Sequence, residues 1–161
     1  MTAYHCSCCG KTMCSNCITP VNYNSYVCDL LEYAEDDFSR PKKALLKLGK
    51  RYMCKSCARS YSNKAEKMCN AINNHDDVET FPKTYKGYKV NRLLKVKKIS
   101  TPSYRNRNEA TEDVVIIAKY LGCPYVIDLE WQRKECYEQG PKGGTHIYYE
   151  WYALGYAAKP K

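Results

Sequence analysis

The stretch His5-Cys6-Ser7-Cys8-Cys9-Gly10-Lys11-Thr12-Met13-Cys14-Ser15-Asn16-Cys17 has to be read together with Arg51-Tyr52-Met53-Cys54-Lys55-Ser56-Cys57. Between them they hold three Cys-x-x-Cys pairs: Cys6 with Cys9, Cys14 with Cys17, and Cys54 with Cys57. Two thiolates separated by two residues on a tight turn can grip one metal ion from the same side. A tetrahedral zinc takes four such ligands, so one pair must find another. Gly10, directly after Cys9, suits the reverse turn of a metal knuckle, where the backbone passes through positive φ. The pattern predicts zinc as the cofactor, held for folding rather than for redox or catalytic chemistry.

The rest of the composition agrees with a chain that needs such help. Its 161 residues allow one ordinary domain or two small ones. Hydrophobic residues make up 44%, but that figure includes 11 Cys and 16 Tyr and only 2 Phe, so aliphatic core material is thin. A structural metal site contributes on the order of 10 kcal/mol of folding free energy in small fingers, which would compensate. The N-terminus has no apolar signal segment, and cysteines spaced as metal-binding pairs fit a reducing compartment. The longest apolar run is Val114-Val115-Ile116-Ile117-Ala118, far short of a membrane span. The expectation is a cytoplasmic protein with no membrane contact.

The net charge is +9, unevenly spread. Residues 1–80 carry 11 Lys/Arg against 9 Asp/Glu, and residues 81–161 carry 15 against 8. Within residues 81–108 stand Lys83, Lys86, Lys89, Arg92, Lys95, Lys97, Lys98, Arg105 and Arg107 with no acid at all. Interleaved with Tyr85, Tyr88 and Tyr104, they could contact phosphates while rings stack on bases. A solvated, lysine-rich surface that keeps the protein soluble is the plainer reading of the same run.

Along the chain, Val27, Leu30, Leu31, Ala34 and Phe38 recur at helical spacing with acids between them, predicting an amphipathic helix over 25–38 that Arg40-Pro41 ends. Residues 42–51 are basic and mixed. The segment 58–72 is a second predicted helix, beginning at the last cysteine of its pair. Asn73-Asn74-His75-Asp76-Asp77 is polar and reads as a linker, which places the domain boundary at 74–84: a zinc-binding domain over 1–76, then a small β-α-β-β domain over 84–161. In the second part, 88–99 reads as a strand with one basic face. Asn108 is a candidate cap for a helix running to Leu121, with Gly122 as its stop. Residues 125–131 alternate as a half-buried strand should. Residues 140–144 form a loop, and 146–157 form a last strand with aromatic residues on both faces. The fold class is therefore α+β.

Two resemblances attach to these motifs. The run from His5 to Cys17, followed by Arg51-Tyr52-Met53-Cys54-Lys55-Ser56-Cys57, resembles the FYVE-like treble-clef zinc fingers, which read His-Cys-x-x-Cys-Gly-x-x-x-Cys-x-x-Cys and later Arg-x-x-Cys-x-x-Cys. The resemblance implies that Cys6 and Cys9 share a zinc with Cys54 and Cys57. It also implies that Cys14 and Cys17 belong to a second site, for which Cys28, Cys69 and His75 are the candidate further ligands. The family's basic lipid-reading motif is missing, since Ala3-Tyr4 stands in its place, so phosphoinositide binding does not carry over. The C-terminal part, with Ala118-Lys119-Tyr120-Leu121-Gly122, Gly143-Gly144 and a strand closing on Tyr152-Ala153-Leu154-Gly155-Tyr156-Ala157-Ala158, resembles the YbjQ-type family assigned to heavy-metal binding. That implies an α+β fold with a tendency to ring-like homo-oligomers, and no catalytic residues.

These features lead to a zinc-stabilised, basic regulatory protein that is not an enzyme and binds nucleic acid or a nucleic-acid-associated protein. An adaptor or inhibitor on a homo-oligomeric platform is the alternative, with the acids of residues 32–37 and the tyrosine-rich last strand as contact surfaces. A metal-dependent nuclease would rest on Asp128 and Glu130 with Lys134 and His146, although carboxylates at i and i+2 also mark the solvent face of any strand.

Overall fold

The computed structural model describes residues 4–6, 9–14, 16, 17, 19, 24–35 and 53–161. The chain divides into two units, Met1–Asn73 and Asn74–Lys161.

The first unit begins with a minimal hairpin, β1 (Tyr4–His5) against β2 (Thr12–Met13), in which Tyr4 faces Met13 and His5 faces Thr12. Helix α1 (Ser25–Glu35) starts where the Asn24 side chain accepts a hydrogen bond from the Val27 amide at 3.1 Å, satisfying one of the free donors of the first turn. It buries Val27, Cys28, Leu30, Leu31 and Ala34. The expected extension to Phe38 and the basic segment 42–51 lie outside the described residues. Helix α2 (Lys55–Asn73) begins three residues before the predicted start, so Cys57 sits inside its first turn, and it buries Ala58, Tyr61, Met68 and Ala71. The Tyr61 hydroxyl lies 3.2 Å from the Cys28 Sγ, and Lys64 pairs with Glu35 at 2.8 Å, so α1 and α2 pack together.

The second unit is a four-stranded sheet with one long helix. Its elements are β3 (Glu79–Pro82), a single helical turn α3 (Tyr88–Asn91), β4 (Leu93–Ser100), α4 (Arg107–Tyr120), β5 (Tyr125–Gln139) and β6 (Thr145–Pro160). The strand order is β3-β5-β6-β4, with β3 parallel to β5 and the other pairs antiparallel. Two expectations are corrected below. Strand β3 falls inside the boundary region 74–84 and belongs to this unit. Its polar lead-in is held along α4 by Asp77 on Lys119 at 2.7 Å and by His75 near Glu112 at 3.5 Å. The predicted strand 88–99 is interrupted, with Tyr88–Asn91 helical and pairing starting only at Leu93. The cap of α4 is Asn106, not Asn108, its side chain accepting from the Asn108 amide at 2.7 Å.

Helix α4 closes as its sequence predicts. Gly122 adopts φ +77°, its amide bonds to the Lys119 carbonyl at 3.0 Å, and the Cys123 amide bonds to the Ala118 carbonyl at 2.9 Å. Ala110, Val114, Ile117 and Ala118 of α4 are fully buried, as are Ala153 and Ala157 of β6, and a Cβ at Gly155 would meet the Val126 side chain at 3.0 Å. A smaller cluster of Phe81, Ile127 and Ala158 has Tyr85, Val90, Leu93, Tyr125 and Tyr156 packed around it. At Asp128, with φ +54°, β5 bulges: pairing skips from Ile127↔Tyr156 to Glu130↔Leu154. Beyond the bulge, β5 and β6 run on as a two-stranded ribbon. The last strand is therefore not covered along its whole length, and Ile147 and Tyr149 are exposed.

Candidate metal centre and basic surface

The hairpin of the first unit is a metal knuckle in its backbone geometry. The Gly10 amide bonds to the Cys6 carbonyl at 2.9 Å and the Cys6 amide to the Lys11 carbonyl at 2.8 Å, which folds Cys6 and Cys9 onto one side of a turn. Gly10 takes φ +77°, the region for which a residue without Cβ is suited. The second pair is presented differently. Cys54 precedes α2 and Cys57 lies in its first turn, with the Ala58 amide bonded to the Cys54 carbonyl at 2.9 Å.

The thiol sulfurs of Cys6, Cys9, Cys54 and Cys57 all lie within 4.8 Å of one another. Four sulfurs on a tetrahedral ion with metal–sulfur bonds of about 2.3 Å sit about 3.8 Å apart, so a small contraction brings these to bonding distance. The Cys9 and Cys54 sulfurs are already 3.9 Å apart. The Cys54 amide donates to the Cys6 sulfur at 3.4 Å and the Cys57 amide to the Cys54 sulfur at 3.5 Å. Cys6 and Cys54 are buried, Cys57 is half-buried and Cys9 is exposed. This cluster could hold a metal ion, and its all-thiolate donor set suits zinc or iron rather than calcium or magnesium. The sulfur-directed amides are a part of the site that residue spacing does not reveal, because they depend on where α2 begins.

Cys14 and Cys17 are not members of that group of four, although they line a cavity with Cys54 and Lys55. Their sulfurs are 3.1 Å apart on an exposed turn closed by the Cys17 amide on the Cys14 carbonyl at 3.0 Å. The shared proton splits them: the hydrogen bond from Cys17 lowers the Cys14 thiol below the usual range, and the same bond raises Cys17. Among the described residues, none of the expected completing ligands joins them. Cys28 is buried beside Tyr61, Cys69 is exposed on α2, and His75 belongs to the second unit beside Glu112. Cys123 is buried, which pushes its thiol up.

The nine basic residues do not form one free stripe. Lys83 pairs with Glu130 at 3.2 Å, Lys95 with Asp128 at 2.9 Å, and Arg105 lies 3.9 Å from Glu138. Arg105 also stacks on Tyr148 at 4.2 Å, and Arg107 on Trp151 at 4.0 Å. Lys97 is half-buried on β4. Among the described residues, Lys86, Lys89, Arg92 and Lys98 have no carboxylate at ion-pair distance. They lie on or next to α3 and β4, and Arg92 packs over the exposed Tyr88 ring at 5.4 Å. Asp128 and Glu130 each answer to their own lysine, and His146 is paired across the ribbon with Glu138. Among the described residues, Asp128, Glu130 and His146 form no common cluster.

No protein-family profile matches the chain, and neither a curated protein nor a solved structure matches it. Among the described residues no helix is long and apolar enough to cross a membrane.

Proposed function

We propose that the protein is a zinc-stabilised regulator that acts by binding nucleic acid, or a nucleic-acid-associated machine, rather than by catalysis. In this reading Cys6, Cys9, Cys54 and Cys57 hold one zinc ion, and a knuckle followed by a cysteine pair at a helix start makes the first unit treble-clef-like. The zinc assignment rests on the four converging sulfurs.

The observation that carries the binding reading is the acid-free stretch 81–108, which leaves Lys86, Lys89 and Arg92 unneutralised around Tyr88, 67% exposed, and Lys98 unneutralised further along β4. Cations next to an open ring suit a flexible phosphate backbone whose bases can stack. The test is fluorescence anisotropy with labelled single-stranded RNA, single-stranded DNA and duplex DNA over a range of salt. Four phosphate contacts predict a slope of about −3 in log K against log salt on single strands. Reversing Lys89, Arg92 and Lys98 together should flatten most of that slope and weaken binding about a hundredfold at low salt. Affinity that ignores salt, or survives the triple reversal, would sink the reading.

The adaptor reading keeps a specific support of its own. Tyr137, Ile147 and Tyr149 are exposed together on one face of the β5–β6 ribbon, and aromatic residues are favoured anchors at protein interfaces.

A further inference from the structure

The ribbon beyond the Asp128 bulge has two edges that are treated differently. On the β6 side, the Ser103 hydroxyl donates to Glu150 at 2.6 Å, Tyr104 bridges to Trp151, and Arg105 lies over Tyr148. That edge is occupied. On the β5 side, pairing with β3 ends at Pro82↔Leu129. From residue 130 to 139, β5 has β6 on one edge and, among the described residues, no strand on the other. A strand edge with unspent amides and carbonyls is a template for another strand.

The charge on this ribbon narrows the choice of partner. Residues 132–150 carry Arg133, Lys134 and Lys142 against Glu135, Glu138 and Glu150, a neutral arm on a chain of net charge +9. A polyanion gains little there. A strand with the complementary charge order gains more, and the β5 edge is complementary to itself.

We infer that the free edge of β5 pairs antiparallel with the same edge of a second copy, about a two-fold axis at Cys136. In such an isologous pair residues symmetric about the axis face each other. Lys134 of each copy then opposes Glu138 of the other, twice over, and Cys136 opposes itself. Centring on 133, 134, 135 or 138 would set like charges face to face, which destabilises a cross-strand pair. Centring on Gln132 leaves only a short overlap before β3, and centring on Tyr137 makes no opposite-charge pair. The chosen register also brings the two Tyr137 rings, each 64% exposed, to the diagonal distance of about 7–8 Å at which aromatic side chains still touch.

This surface is separate from α3 and β4 and does not depend on the nucleic-acid reading. The test is sedimentation equilibrium of the intact, metal-loaded chain under reducing conditions. The mass should rise with concentration from 18.6 kDa toward twice that value. Lys134→Glu and Glu138→Lys should each weaken dimerisation by about tenfold or more, and the double exchange should restore it. A monomer at all concentrations overturns the inference, as does a dimer indifferent to the single reversals or not rescued by the double one. Because single reversals also disturb Glu150 and Arg105 within the chain, the unmodified protein supplies a second readout. A short bismaleimide should give a cross-linked peptide containing Cys136 twice, absent in Cys136→Ser. A dimer without that species places the contact elsewhere.

Discussion

The two units bury different chemistry. In Met1–Asn73 the described core includes Cys6, Met13, Cys28, Met53, Cys54 and Met68, six sulfur-bearing side chains, with a few aliphatics from α1. In Asn74–Lys161 the buried side chains are mainly branched aliphatics and alanines, and Cys123 is the one buried sulfur among the described residues. Sulfur packs adaptably but specifies little by shape, whereas Val and Ile interdigitate in few rotamers. The contrast sets a unit that, on the zinc reading, closes by ligand geometry against one that closes by packing. They should therefore fail under different insults.

The sharpest way to break the comparison is Cys54→Ser. It removes one of the four converging sulfurs and the bond that sulfur accepts from the Cys57 amide, and on the zinc reading the linked folding free energy at stake is on the order of 10 kcal/mol. Backbone amide exchange should collapse to the unprotected level in α1 and α2 while β5, β6 and α4 keep their protection. A strong chelator should reproduce that pattern in the unmodified protein. Loss of protection in both units would show that they do not close independently.

The converse experiment is Ile117→Ala. This side chain is fully buried on α4 and its truncation leaves a cavity in the packed core, costing about 2–5 kcal/mol. Denaturant unfolding followed at Trp131 and Trp151, both in the second unit, should shift by that amount while bound metal per chain stays constant. A fall in metal content with Ile117→Ala would tie the units together.

The smallest expected effect is electrostatic. The Lys119 ammonium holds the exposed Asp77 carboxyl below its usual range. Because the folded-state value is the lower one, the pair's contribution is present at neutral pH and is lost as pH falls through the carboxylate range. Asp77→Asn should thus differ slightly from the unmodified chain at pH 7, and the two should converge in acid. Urea titrations at the two pH values measure it. A difference that persists in acid would mean that Asp77 acts through something other than its charge.

How much of this is readable from the sequence follows the same division. The cysteine pairs announce a candidate metal site because ligand spacing is a local property, and the Cys6, Cys9, Cys54 and Cys57 sulfurs converge as such pairing would require. Helix α1 is legible from apolar periodicity, since one face is buried, and α4 from its glycine stop and the apolar run 114–118, which is buried on all sides. Strand β3 is not, for Glu79-Thr80-Phe81-Pro82 is short, buries only Phe81, and is a strand because β5 lies beside it. The break between α3 and β4 is hidden for a related reason. β4 lies at the sheet edge with a register shift between Lys95 and Lys97, so its burial does not alternate cleanly. The ribbon past residue 131 exposes both faces, and no pattern of hydrophobicity marks its length.

The separation of 45 residues between Cys9 and Cys54 also carries a consequence in time. A ribosome adding about 5–20 residues per second takes about 2–9 s to make that stretch. Through that interval the first knuckle exists as half a ligand set, two thiols with nothing opposite them but Cys14 and Cys17 nearby in the chain. The second unit waits at least as long for its partners, Leu93 pairing with Pro160, but needs no ion when they arrive. On the zinc reading, the moment at which the N-terminal half commits to its fold is therefore set by the emergence of one late helix, and by metal being at hand when it arrives.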